Sequence, residues 1–239
     1  MIGNLAKRYA MLLMVLSPWA AISSFGQVHL SKEYIYLGDR ILAVETFGAA
    51  TASSLANLLA TAVGPSQVNL SWSVPASGEP HHYGVWRRSA VGFSRIGTAW
   101  SASYTDVAVA ANQAYLYQVS AEDSSDQVLG LTNVDLATTV FFTDDPVAPQ
   151  ATVINALHLA ELRTAVNAVR GAAGLSALDW TNPTLSNAWI HAIDVTELRT
   201  ALNEALLTLG LTPPNYIDSE LAGVTIKAVH FDQLRSGVK

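Results

Sequence analysis

Tyr115-Leu116-Tyr117-Gln118-Val119-Ser120-Ala121 carries the longest strict two-residue alternation in the chain, with Tyr115, Tyr117, Val119 and Ala121 on one side. Successive strand side chains point to opposite faces, so this run predicts a β-strand with one buried face. Upstream, Val68, Leu70 and Trp72 alternate with Asn69, Ser71 and Ser73, after a run from Leu55 to Val63 that ends at Gly64-Pro65. Tyr83 and Val85 continue the pattern beyond the break at Pro75 to Pro80, and the runs Phe93 to Ile96 and Ser103 to Val107 follow. Short β-type runs separated by turn residues at this spacing predict an all-β sandwich over 55–141.

Val68-Asn69-Leu70-Ser71-Trp72 and Tyr115 to Ala121 together resemble the immunoglobulin-like fibronectin type III domain. The resemblance implies that Trp72 fills the core from the second strand and that Tyr115 is a buried tyrosine corner. It also implies a spacer or binding module, although a fold of this kind hosts unrelated functions. The chain has no Arg-Gly-Asp triplet, so the integrin-binding loop of some members does not carry over. His81-His82 beside Tyr83, with Trp86-Arg87-Arg88 downstream, is the densest polar and aromatic cluster. His81, His82, Trp86, Arg87 and Arg88 are therefore candidate binding residues for an acidic or carbohydrate partner. The alternative is a solvated strand edge with one buried tryptophan. Adjacent histidines on a strand face opposite ways, which is poor metal geometry, so no metal site is expected.

The C-terminal part repeats. Ile154-x-Ala156-x-His158-x-x-Glu161-Leu162-Arg163 returns as Ile190-x-Ala192-x-Asp194-x-x-Glu197-Leu198-Arg199 and as Ile226-x-Ala228-x-His230-x-x-Gln233-Leu234-Arg235, each 36 residues on. Trp180 and Tyr216 keep that offset, and Phe142-Thr143-Asp144 looks like the same lead-in with two extra residues. A fixed period in this range predicts an array of similar units, here an all-α module of three 36-residue repeats over 142–239. Leu159, Leu162, Val166, Val169 and Ala173 fall at steps of three and four, as do Val195, Leu198, Leu202, Ala205 and Leu209, so each unit carries an amphipathic helix. Gly174 and Gly210 stand at the left-handed stop position, with Leu175 and Leu211 placed for the hydrophobic contact that follows.

His158, Asp194 and His230 are equivalent positions and invite a metal reading. Asp194 with Glu197 three residues later has the spacing of a capping box, so these residues are read as structural helix caps. The repeated arginines are expected to pair with aspartates of neighbouring lead-in loops, or else to form a solvated face, rather than to recognise a ligand. The units faintly resemble dockerin repeats, but Pro183, Leu185, Leu221 and Gly223 stand where a calcium loop needs oxygen ligands, so calcium binding is not implied.

At the N-terminus, Lys7 and Arg8 precede an apolar run from Ala10 to Leu16, Pro18 and small residues through Ser24. That order predicts a secretory signal peptide over 1–26, cleaved before Val28. The run falls short of the roughly 20 residues of a spanning helix, so no membrane association is expected after cleavage. Tyr34 to Leu37 and Ile41 to Val44 flank Gly38-Asp39, a two-residue hairpin signal inside a 27–54 hairpin-and-linker segment. This piece resembles the closing segment of tyrosine-rich RHS/YD-repeat proteins, which are secreted and bacterial.

The 239 residues carry 13 basic and 19 acidic side chains, a formal net charge of −6, which argues against a nucleic-acid partner. Without cysteine there are no disulfides, thiolate zinc sites or cysteine nucleophiles. Gly-x-Ser-x-Gly, His-Glu-x-x-His, phosphate-loop and dinucleotide motifs are all missing. The adjacent acids Glu122-Asp123 and Asp144-Asp145 read as solvated turn residues. The expectation is a non-catalytic, cofactor-free protein of the bacterial envelope or exterior, with an extracellular protein or polysaccharide as partner. The alternatives are a carbohydrate-binding accessory of a secreted hydrolase system and a remnant of a longer RHS-like chain.

Overall fold

The structure is a computed structural model that describes residues 55–74, 80–89, 92–185 and 189–239, with the backbone of 33–37 and 40–45. The expected signal peptide, the linker from Thr46 to Ser54, the Gly38-Asp39 turn and most of the break at 75–80 lie outside the described residues. Strands β1 (Glu33–Leu37) and β2 (Arg40–Glu45) pair antiparallel, with Leu37 opposite Arg40. They belong to one compact unit, Met1–Thr51; everything from Ala52 to Lys239 forms another.

That second unit begins with β3 (Ala56–Gly64), β4 (Gln67–Ser73), β5 (His82–Ser89), β6 (Gly92–Ala99) and β7 (Ser103–Asp106). β8 (Ala114–Glu122), β9 (Val128–Leu131) and β10 (Asp135–Thr138) complete the strands. One sheet has the order β3-β4-β7 and the other β10-β8-β5-β6, with β9 also paired to β8, all antiparallel. Three strands facing five, with this order, give an immunoglobulin-like sandwich of the fibronectin type III kind. Val68, Leu70 and Trp72 from one sheet meet Tyr83, Val85, Tyr117, Val119 and Ala121 from the other. Trp72 is buried edge-on to Tyr83, with ring centroids 5.2 Å apart.

Tyr115 differs from expectation. It is half-buried, its hydroxyl accepts from the Ala110 N–H at 2.8 Å, and the fully buried tyrosine is Tyr117, two residues on. A hydroxyl that reaches back to backbone just before the strand fits a tyrosine corner, but that reach leaves the ring at the rim of the core. Tyr117 instead donates to Asp106 at 3.0 Å, and burial, reinforced by the Asp106 charge, pushes its pKa far above the ordinary range.

Three helices follow: α1 (Ala156–Ala172), α2 (Ala192–Leu209) and α3 (Ala228–Gly237). Leu159, Leu162, Val166 and Val169 pack with Val195, Leu198, Leu202 and Ala205 and with Phe231, Leu234 and Val238 in one core. Leu116 and Leu136, on the outward face of β8 and β10, belong to that same core, so α1 lies directly on the sandwich. Gly174 and Gly210 both have φ of +76°, and the N–H groups of Leu175 and Leu211 reach back to Arg170 and Leu206 carbonyls as the helices close.

The helix starts require a correction. Helices begin at Ala156, Ala192 and Ala228, so His158, Asp194 and His230 sit at the third helical position, not at the cap. From there each reaches back to a backbone N–H: Asn155 N to His158 Nδ1 at 3.0 Å, His191 N to Asp194 Oδ2 at 2.8 Å, and Lys227 N to His230 Nδ1 at 3.2 Å. Glu161 and Glu197, expected to complete the capping box, accept instead from Thr143 and Thr181 of the lead-in loops. A helix that starts three residues earlier moves the glutamate a turn away from the free N–H groups and beside the loop.

Candidate functional site

β5 is the strand that carries the sequence-predicted binding residues, and it is interior, with β6 on one side and β8 on the other. The solvated-edge alternative therefore does not describe it. Residues of even number on β5 face away from the core. His82, Gly84 and Trp86 there stand opposite Glu122, Ser120 and Gln118 of β8. Arg95 on β6 is opposite Trp86.

These residues form a connected polar network on the outer face. Trp86 Nε1 donates to Ser120 Oγ at 2.8 Å, and Ser120 donates to Glu122 Oε1 at 2.5 Å. Arg95 Nη2 lies 2.8 Å from Glu122 Oε2, and His82 Nε2 lies 3.0 Å from the same oxygen and 2.9 Å from Asp126 Oδ1. His81 Nδ1 and His82 Nδ1 are 3.1 Å apart. Glu122 is 1% exposed and His82 6%. Glu122 is thus a buried partner of Arg95 and His82, correcting the expectation of a solvated turn acid: the strand continues through it, and its alternation carries the side chain onto the covered face. Asp123 alone plays the turn role. The Gln127 and Ser125 N–H groups donate to it and hold its carboxyl below the usual range.

Trp100 completes the site, and no local sequence signal pointed to it. It follows β6 in a bend, is 72% exposed, and stands 5.3 Å from the His81 ring and 5.4 Å from His82. Trp86, by contrast, spends its indole N–H on Ser120. Arg88 lies on the same face, half-buried near the far end of β5. Arg87 is on the opposite face and not part of the cluster: its Nη1 bonds Asp106 at 2.7 Å and the Ala108 carbonyl at 2.9 Å. So His81, His82 and Trp86 come together, Arg88 flanks them and Arg87 is structural.

In the helical part, the residues equivalent by sequence spacing are consumed by internal bonds. Because His158 and His230 accept through Nδ1, the proton is on Nε2, which donates to Asp144 at 3.2 Å and to Asp218 at 3.1 Å. Asp194 has no proton to give, and its counterpart is a donor, Asn182 Nδ2 at 3.1 Å. Bonds from Lys227 and His230 hold the Asp218 carboxyl below its ordinary range. The arginines depart from expectation. Arg163, Arg199 and Arg235 mainly grip loop carbonyls, those of Asn182, of Asp218 and Ile217, and of Asp144 and Thr143, at 2.6–3.1 Å. Each guanidinium also lies over an aromatic ring, Trp180, Tyr216 and Phe142 respectively, at 4.6–5.0 Å. A planar fork suits two neighbouring carbonyls and a ring face at once, which a single aspartate does not require. Arg163 adds Asp194 at 3.0 Å, and Arg235 has the more distant Asp145 and Glu161 at 3.9 and 3.8 Å.

No family model matches the chain. An alpha-amylase of Niallia circulans is 39% identical over 85 residues, 35% of this chain and 6% of that enzyme, so the chain spans a small fraction of its length. Among solved structures, an Fn3-like protein from Clostridium thermocellum shares 26% identity, covering 34% of this chain and 86% of that one, with a TM-score of 0.31. The fibronectin type III domain of human fibronectin type III domain containing protein 3 shares 25%, covering 36% and 84%, with a TM-score of 0.33. A fibronectin type III domain of human collagen XX shares 23%, covering 37% and 93%, with a TM-score of 0.32. Among the described residues, no helix is long and apolar enough to cross a membrane.

Proposed function

We propose that this chain is a non-catalytic binding or spacer protein of the bacterial exterior, and that the outer face of β5, β6 and β8 is its contact surface. The observation that carries this is Trp100, largely exposed and set on two histidines anchored in a buried polar network. A large rigid aromatic held from below loses little entropy on contact, which is the property of a binding anchor. The lead-in loops and three helices are read as tandem structural units that steady the sandwich, because their recurring side chains are committed to internal bonds. The export-type order of residues 1–26 supports an extracellular setting. Our first choice of partner is an extracellular protein. A polysaccharide is the second reading, supported by the stretch similar to an alpha-amylase and by the exposed indole, which suits a sugar face.

The test is capture with the immobilised full chain, from an envelope extract and on a glycan array in parallel. A protein captured by the wild type and lost with Trp100→Ala supports the first reading. Selective glycan binding lost with the same variant supports the second. Retention of all binding in Trp100→Ala would show that the contact surface lies elsewhere.

A further inference from the structure

The network beneath Trp100 contains a feature that partner binding does not require. His82 Nε2 and one carboxylate oxygen each of Glu122 and Asp126 lie within 4.8 Å of one another. We propose that these three residues bind a divalent transition-metal ion, with zinc as the fitting one. This assignment is independent of what the exposed face contacts.

The donor set and spacing are appropriate. Zinc takes imidazole nitrogen and carboxylate oxygen at about 2.0–2.2 Å, which places tetrahedral ligand atoms about 3.4 Å apart. Here the nitrogen is 3.0 and 2.9 Å from the two oxygens, so an outward shift of a few tenths of an ångström opens the site. Calcium needs six to eight oxygens and suits this set poorly. His81 supplies the outer support: with the ion on Nε2, the remaining ring proton of His82 sits on Nδ1, 3.1 Å from His81 Nδ1, which is placed to accept it. Metal-ligating histidines characteristically donate their other N–H in this way. Ser120 orients the Glu122 carboxylate from behind. Gly84 makes room for it, because a Cβ there would overlap the Glu122 carboxylate and the Ser120 hydroxyl.

Charge points the same way. Glu122 and Asp126 bring two negative charges, and Arg95 returns one, leaving an excess that a cation compensates. Glu122 and His82 are buried, whereas the Asp126 side chain is 73% exposed, so an ion reaches the buried ligands from the solvent side. Arg95 competes for Glu122 Oε2, which makes it the natural control.

Isothermal titration of the untagged full chain with zinc, with cobalt absorption as a coordination readout, tests the assignment. Asp126→Asn, at an exposed position that leaves the fold intact, should weaken zinc binding about tenfold or more. Arg95→Gln should tighten it by removing the competing cation. Cobalt should give the visible absorption of a low-coordinate site in the wild type and lose it in His82→Gln. Absence of zinc binding at millimolar concentration would overturn the proposal. So would an affinity unchanged in both Asp126→Asn and His82→Gln, which would locate the ion at other residues.

Discussion

At the scale of single residues, Trp72 and Tyr117 hold the sandwich in different ways. Trp72 supplies area: its ring is buried against Tyr83, while its indole N–H is buried without a hydrogen-bond partner. Trp72→Ala is expected to cost about 3 to 5 kcal/mol in urea unfolding, as for large aromatic truncations in cores. Trp72→Phe should cost clearly less, because it keeps most of the contact and removes an unsatisfied donor. Equal losses for the two variants would mean that the indole N–H is satisfied in solution. Tyr117 supplies direction instead. With Arg87 and the Ala108 N–H it saturates the Asp106 carboxylate, fixing β7 and the loop after it against the opposite sheet. Trp72 was legible as a core residue because its neighbours alternate. Which of two tyrosines on one face reaches the core was not, since both obey the same period and only the corner bond of Tyr115 separates them.

At the scale of elements, the three helices are tied in a cycle. Arg163 of α1 holds the loop before α2, Arg199 of α2 holds the loop before α3, and Arg235 of α3 returns to Thr143 and Asp144 before α1. The last tie joins residues more than 90 positions apart, so it closes the array that the first two extend. Arg235 is also the most deeply buried of the three. Arg235→Ala leaves two carbonyls without a donor and a ring without its cation, at about 1–3 kcal/mol for the polar part and about 1 kcal/mol for the ring. We expect a loss of about 2 to 4 kcal/mol by chemical denaturation. Arg235→Lys should rescue only part of it, because an ammonium cannot span two carbonyls in one plane. A loss below about 0.5 kcal/mol would show that apolar packing alone closes the cycle. The helices and the glycine stops could be read from the sequence. That the third helix returns to the loop before the first could not, because a 36-residue spacing is equally compatible with an open stack.

At the scale of the whole molecule, the sandwich and the helices share a boundary made by residues that look like surface. Leu116 is the off-phase residue in Tyr115-Leu116-Tyr117, on the face that an isolated sandwich would give to water, yet it is 1% exposed against α1. Leu116→Ala should therefore cost about 3 kcal/mol, a core-sized value. Leu116→Asp should split thermal unfolding by circular dichroism into separate strand and helix transitions. A single unshifted transition in Leu116→Asp would mean the two layers do not depend on each other. Alternation and three-to-four periodicity are local properties, written in neighbouring side chains, so strands, helices and their buried stripes followed from the order of residues. The helix starts were missed by three residues, because the capping signal at Asp194 fits the cap and the third position nearly equally well until the lead-in loop shows where Glu197 is used. The outer-face cluster depends on a third dimension. His82 and Glu122 are 40 positions apart and become cross-strand neighbours only through sheet register, and Trp100 reaches them only through the bend after β6. Sequence order established which segments bury a face; the pairing of distant strands established which polar residues share one, because register is a long-range choice that no window of neighbouring residues contains.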